Sequence, residues 1–152
     1  MKLTRKKRNN LLLSIGSLFG VAAINYTLIH NPIVLLLSFI LFIHELGHFI
    51  IAKIYGADVF YPIFIPFIFF TLGITRIDNL SDKFKDKVAL AGSLFASLTL
   101  TLVIFFNLII KIYSTKLLFL ILLSEILFNF IGSDGKRYRK AKQDKKFKLI
   151  SL

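Results

Sequence analysis

The sequence predicts an all-α polytopic membrane protein with about four transmembrane helices and a short re-entrant or interfacial β-like hairpin after the second. Three observations carry that prediction. Apolar runs without a charge recur along the chain, and 56% of its 152 residues are hydrophobic, 17 Phe among them, where a soluble domain has roughly 45 to 50%. Lys and Arg gather between those runs. One apolar stretch is short and carries two prolines four apart, Pro62 and Pro66.

Met1 to Asn10 holds Lys2, Arg5, Lys6, Lys7 and Arg8, and Leu11 to Ile29 is a 19-residue run without a charge. That run is longer than the apolar region of a secretory signal, and Asn25 to His30 makes a poor cleavage site, so a retained first transmembrane helix is expected. Asn31 is a good helix cap and Pro32 fits a first helical turn, so a second helix runs from about Pro32 to about Tyr55, where Gly56 can end it. From Val59 to Phe70 the prolines oppose a helix while aromatic and β-branched residues favour extended structure, which gives the hairpin, with Gly73 near its end. Residues 76–87 read as a polar loop. Val88 to Ile110 forms the next helix, and its Ala89, Gly92, Ser93, Ala96 and Ser97 permit close helix contact. The last helix runs from Leu117 to about Ile131, interrupted by Glu125 and Asn129, and Gly132-Ser133-Asp134-Gly135 ends it.

The net charge of +12 flanks apolar runs, where it orients a membrane protein and meets anionic lipid headgroups, so no nucleic-acid partner is expected. Four spans put the N-terminus, the segment after the second helix and the tail on one side. Eighteen of the 20 Lys and Arg fall there, against Lys111 and Lys116 on the other. The positive-inside rule then makes both termini cytoplasmic, at the cell membrane. Residues 1–10 form a basic cytoplasmic N-terminus, 11–135 the membrane-embedded domain and 136–152 a basic cytoplasmic tail. With no Cys in the chain, chemistry must rest on His, Asp, Glu, Ser or Lys.

His44-Glu45-Leu46-Gly47-His48 concentrates that chemistry. On a helix, His44 and His48 project from one face a turn apart, as two zinc ligands require, and Glu45 lies one step round. The pattern supplies two neutral imidazoles for Zn²⁺ and a carboxylate to take the proton of an activated water, the hydrolytic half of a metalloprotease. A charged side chain near mid-bilayer costs on the order of 2.5 to 3.5 kcal/mol, so an intramembrane Glu between two His needs a compensating use. At about 1.5 Å per residue, His44 and His48 lie roughly 17 to 23 Å inward from the outer face and Asp134 roughly 26 Å. That match makes Asp134 the expected third ligand of one zinc per chain, although Asp-Gly is also an ordinary helix-end turn. Glu125 is a possible accessory group that hydrates the site or relays a proton. Its plainer reading is an acid hydrogen-bonded to Asn129 or a hydroxyl.

These residues resemble the site-2 protease family of intramembrane zinc metalloproteases from about Leu41 to Gly135. His44-Glu45-Leu46-Gly47-His48 is a common form of that family's zinc helix. Ala91-Gly92-Ser93-Leu94-Phe95-Ala96-Ser97 is similar to its Ala-Gly-Pro-Leu-x-x-Asn, with Ser93 for the Pro and Ser97 for the Asn. Asn129 to Gly135 resembles its Asn-x-x-Pro followed by Leu-Asp-Gly, without the proline and with a shorter spacing. The resemblance implies Asp134 as third zinc ligand, Ser97 and Asn129 as substrate-positioning residues, and a membrane-embedded β segment that pairs with substrate. It also implies a member without a PDZ or nucleotide-sensing domain. The expected activity is cleavage of a peptide bond in a membrane-spanning or membrane-associated substrate near the cytoplasmic side. The alternative is a non-catalytic zinc-binding membrane adaptor or immunity-type protein derived from that family. A metal transporter fits less well, because its ligands would lie on both sides of the midplane.

Overall fold

The first break in the chain is made by chemistry legible in its residues. Asn31 Oδ1 accepts the N–H of Ile33 at 2.9 Å, satisfying a donor that a helix start otherwise leaves open. On either side of it run α1 (Arg5–Ile29) and α2 (Ile33–Ile54). The computed structural model describes residues 5–66, 71–131, 135–140 and 143. Helix α2 ends where Gly56 takes φ +77 and the N–H of Ala57 reaches back to the Ala52 carbonyl at 3.1 Å, a closure for which glycine has the lowest cost.

The hairpin follows. It has an outer pair, β1 (Asp58–Val59) with β4 (Ile77–Asp78), and an inner pair, β2 (Ile63–Pro66) with β3 (Thr71–Ile74), all antiparallel. Residues 60–62 on one side face residues 75–76 on the other, a bulge of one extra residue placed at Pro62, which has no N–H to give to a ladder. The hairpin therefore returns as far as Asp78, and the polar loop expected over residues 76–87 is mostly structured. Ile77 and Asp78 form β4, a short 3₁₀ turn spans Asp82–Phe84, and α3 (Lys85–Ile110) starts three residues before Val88. Helix α4 (Thr115–Ile131) is joined to α3 through Asn107, whose side chain bonds the Tyr113 N–H at 2.7 Å and carbonyl at 2.9 Å.

Among the described residues, three helices are long and apolar enough to cross a membrane, within residues 7–29, 33–54 and 82–110. Their large apolar side chains lie outside: Phe19 is 70% exposed, Leu94 67% and Ile109 71%. A contiguous apolar surface of that kind suits contact with lipid. Among the described residues, two clusters of buried side chains lie along α2. Ile40 packs with Ala96, Leu100, Ile104 and Leu118, and Phe49 and Ala52 pack with Ala57, Val59 and Val88. His44, Glu45 and His48 fall between them.

Helices α2 and α3 touch through glycines. A Cβ on Gly47 would lie 2.7 Å from the Ala91 carbonyl oxygen and 3.0 Å from Phe95, whereas one on Gly20 in α1 meets nothing within 4 Å. Gly47→Ala should therefore cost about 1 to 3 kcal/mol through overpacking, and Gly20→Ala should be neutral or slightly stabilising. Thermal unfolding of the two variants in lipid nanodiscs compares them directly.

Candidate metal and catalytic site

Helical spacing puts both imidazoles of α2 on the face that meets α3. The rings lie edge to face with centroids 5.0 Å apart, and their Nε2 atoms are 3.2 Å from each other. Each ring is fixed from behind. His48 Nδ1 is 2.7 Å from the Val88 carbonyl oxygen, and His44 Nδ1 is 2.9 Å from Glu125 Oε1. A carbonyl only accepts, so His48 carries its hydrogen on Nδ1, and a Glu125 carboxylate selects the same tautomer in His44. Two neutral rings so arranged aim their Nε2 lone pairs at one point.

Lone pairs facing each other at 3.2 Å repel unless a cation lies between them. Two nitrogens on a tetrahedral zinc, each about 2.0 to 2.1 Å from the ion, stand about 3.3 Å apart. The observed separation fits. Gly92 of α3 supplies the space, because a Cβ there would run into His48 Nε2 and sit 2.6 Å from His44 Nε2. Carbonyl and carboxylate acceptors behind metal-binding imidazoles are the usual orienting partners of such ligands.

Glu45 lies about 80° round α2 from the midpoint of the two imidazoles, under the hairpin, and is 7% exposed. Thr75 Oγ1 donates to its Oε2 at 2.6 Å. Strand β3 crosses directly over it: a Cβ on Gly73 would lie 2.5 Å from Glu45 Cγ and 2.7 Å from Oε1. The hairpin thus fixes the carboxylate by one hydrogen bond and by contact, with Oε1 left for another partner.

The edge of β3 is also defined by register. The Phe64 N–H turns away from β3 and is held by Ser17 Oγ of α1 at 3.1 Å, so Phe64 and its partner Gly73 form a non-hydrogen-bonded pair. The N–H and carbonyl of Gly73 consequently face outward on the far side of β3. They have no partner among the described residues.

Of the residues expected to form the site, His44, Glu45 and His48 converge, and Glu125 joins them through His44. No third His, Asp or Glu completes a metal-sized group among the described residues. Asp134 lies outside the described residues. Asn129 falls in the last turn of α4, and its side chain is likewise not described. Ser97 is half-buried on α3, its hydroxyl without a hydrogen bond among the described residues. Ser93 Oγ is buried with no partner among the described residues. Sequence reasoning missed Thr75 and the Val88 carbonyl, which reach the site only once the hairpin and α3 fold against α2.

No family model, curated protein or solved structure matches this chain. The site rests on its own geometry.

Three variants test whether that geometry holds zinc. Glu125→Ala should weaken zinc binding about 10- to 100-fold, the usual effect of losing a carboxylate behind a ligating imidazole, while Glu125→Gln, which still offers an acceptor, should lose less. Gly92→Ala should abolish stoichiometric zinc. Competition with a fluorescent zinc chelator measures all three against the unaltered chain.

Proposed function

We propose that the chain is an intramembrane zinc metalloprotease that cleaves a peptide bond in a membrane-spanning or membrane-associated substrate near the cytoplasmic side. The observation that carries this reading is the pair of facing Nε2 atoms with both Nδ1 atoms held by acceptors, next to a buried carboxylate of the same helix. His44 and His48 would hold the ion, with Asp134 as third ligand on the site-2 protease resemblance. Zinc, when bound, supplies Lewis acidity that polarises a carbonyl and eases the deprotonation of water.

The remaining work belongs to the chain's own residues. Glu45 takes a proton from the attacking water as its oxygen bonds to the carbonyl carbon, and returns it to the nitrogen as the C–N bond breaks, releasing an amine and a carboxylic acid. Thr75 and Gly73 hold Glu45 in one rotamer for both transfers. Substrate must be extended to react, since a helical peptide bond is shielded by its own hydrogen bonds. The outward N–H and carbonyl of Gly73 offer an extended segment a strand edge beside Glu45.

We also infer four spans with cytoplasmic termini. Helix α4, at 17 residues, is about 25 Å long and carries Glu125 at the depth of His44. The charge bias then sets the orientation, with the basic segments on anionic lipid headgroups.

Glu45→Gln should retain one zinc per chain and lose cleavage of a co-expressed membrane substrate by at least about 10³-fold, as expected for removal of the general base. Undiminished cleavage by that variant contradicts the mechanism. Bound zinc with no turnover by the unaltered chain favours the adaptor reading, which rests on the departures from the family's motifs at Ser93, Ser97 and between Asn129 and Asp134.

A further inference from the structure

Helix α1 reads as a plain apolar span, yet it presents polar groups to β2 in an ordered way. Asn10 Oδ1 accepts the Tyr61 N–H at 2.5 Å, and Asn10 Nδ2 donates to the Tyr61 carbonyl at 3.3 Å. This is the pair of bonds that a residue on a neighbouring strand would make. Ser17 Oγ then accepts from Phe64 N–H at 3.1 Å while donating to the Ser14 carbonyl at 2.9 Å. Asn10 and Ser17 are seven residues apart on a helix, about 10.5 Å, and Tyr61 and Phe64 are three apart on extended chain, about 10 Å. The two repeats match, and Ser14 and Val21, both buried, continue the same stripe of α1.

We propose that Asn10 and Ser17 make α1 a stand-in strand that closes the outer edge of β2 against pairing with another polypeptide. Both edges of a hairpin inside a bilayer carry backbone groups that lipid cannot satisfy. Here α1 takes up the outward groups of Tyr61 and the Phe64 N–H on one edge, and the other edge, at Gly73, has no partner among the described residues. The asymmetry suits the site. A strand added beside β3 lies about 4.8 Å from it, whereas one added beyond β2 lies about twice as far from the strand that covers Glu45. Asn10 and Ser17 are then positioning residues that leave a substrate one edge to join. The statement about substrate rests on the proteolytic reading, and the closure of β2 does not.

Residue-resolved amide exchange on the full chain in nanodiscs tests this, with and without an extended apolar peptide hydroxamate as probe. The Tyr61 and Phe64 amides should be protected, and the double variant Asn10→Ala/Ser17→Ala should speed both at least about tenfold with zinc content unchanged. Ser17→Ala alone, should the double variant not fold, should speed Phe64 and spare Tyr61. The probe should slow Gly73 and leave Tyr61 and Phe64 as they were. Unchanged protection in the variants, or exposure of Tyr61 and Phe64 when the probe binds the unaltered chain, overturns the proposal. A probe that fails to slow Gly73 while the variants behave as expected counts against the proteolytic reading and leaves the closure of β2 supported.

Discussion

Two imidazole nitrogens held 3.2 Å apart in the interior of an apolar helix pair form the constraint on which the rest of the structure depends. Their lone pairs oppose each other, and the acceptors behind them prevent either ring from turning away. The contact between α2 and α3 is shaped around that pair. Gly92 clears the space in front of the nitrogens, Gly47 lets the backbones approach a turn away, and α3 brings the Val88 carbonyl to His48. Helix α4 contributes at the same level, with Glu125 behind His44.

The hairpin solves a related problem on the neighbouring face of α2. A two-stranded hairpin leaves backbone donors and acceptors unpaired along both edges, and in apolar surroundings each unsatisfied group costs several kcal/mol. The inner ladder satisfies one set, and Asn10 and Ser17 satisfy part of the next. Pro66, which has no N–H, sits at an outward position of β2 opposite Thr71, where none is needed for the ladder. Gly73 serves twice, letting β3 lie directly on Glu45 and exposing its own amide at the open edge.

Much of this was legible in residues close together in sequence. Asn31-Pro32, Gly56 and His44-Glu45-x-x-His48 act within a few positions, and the structure places the first two as helix start and stop and the third on one helix. The return strand was less legible, because Ile77 and Asp78 fall in a stretch that looks like polar loop by composition and become strand through pairing with Asp58–Val59. Contacts across long separations left weaker traces. Glu125 is ten residues into α4 and His44 eleven into α2, so the depth arithmetic that picks Asp134 also brings Glu125 level with His44. The Asn10, Ser14, Ser17 and Val21 spacing gave α1 no distinct signal, because only the hairpin beside it gives those polar groups a partner.

The claim on which the functional account turns is that the facing nitrogens of His44 and His48 bind zinc. Zinc K-edge X-ray absorption on the purified full chain, reconstituted with one equivalent of the metal, tests it most directly. The account predicts a four-coordinate shell of nitrogen and oxygen at about 2.0 to 2.1 Å with the outer-shell scattering of two imidazoles, reduced when both histidines are replaced by alanine. Failure to retain stoichiometric zinc, or a spectrum without imidazole scattering that is the same in the double replacement, would contradict it.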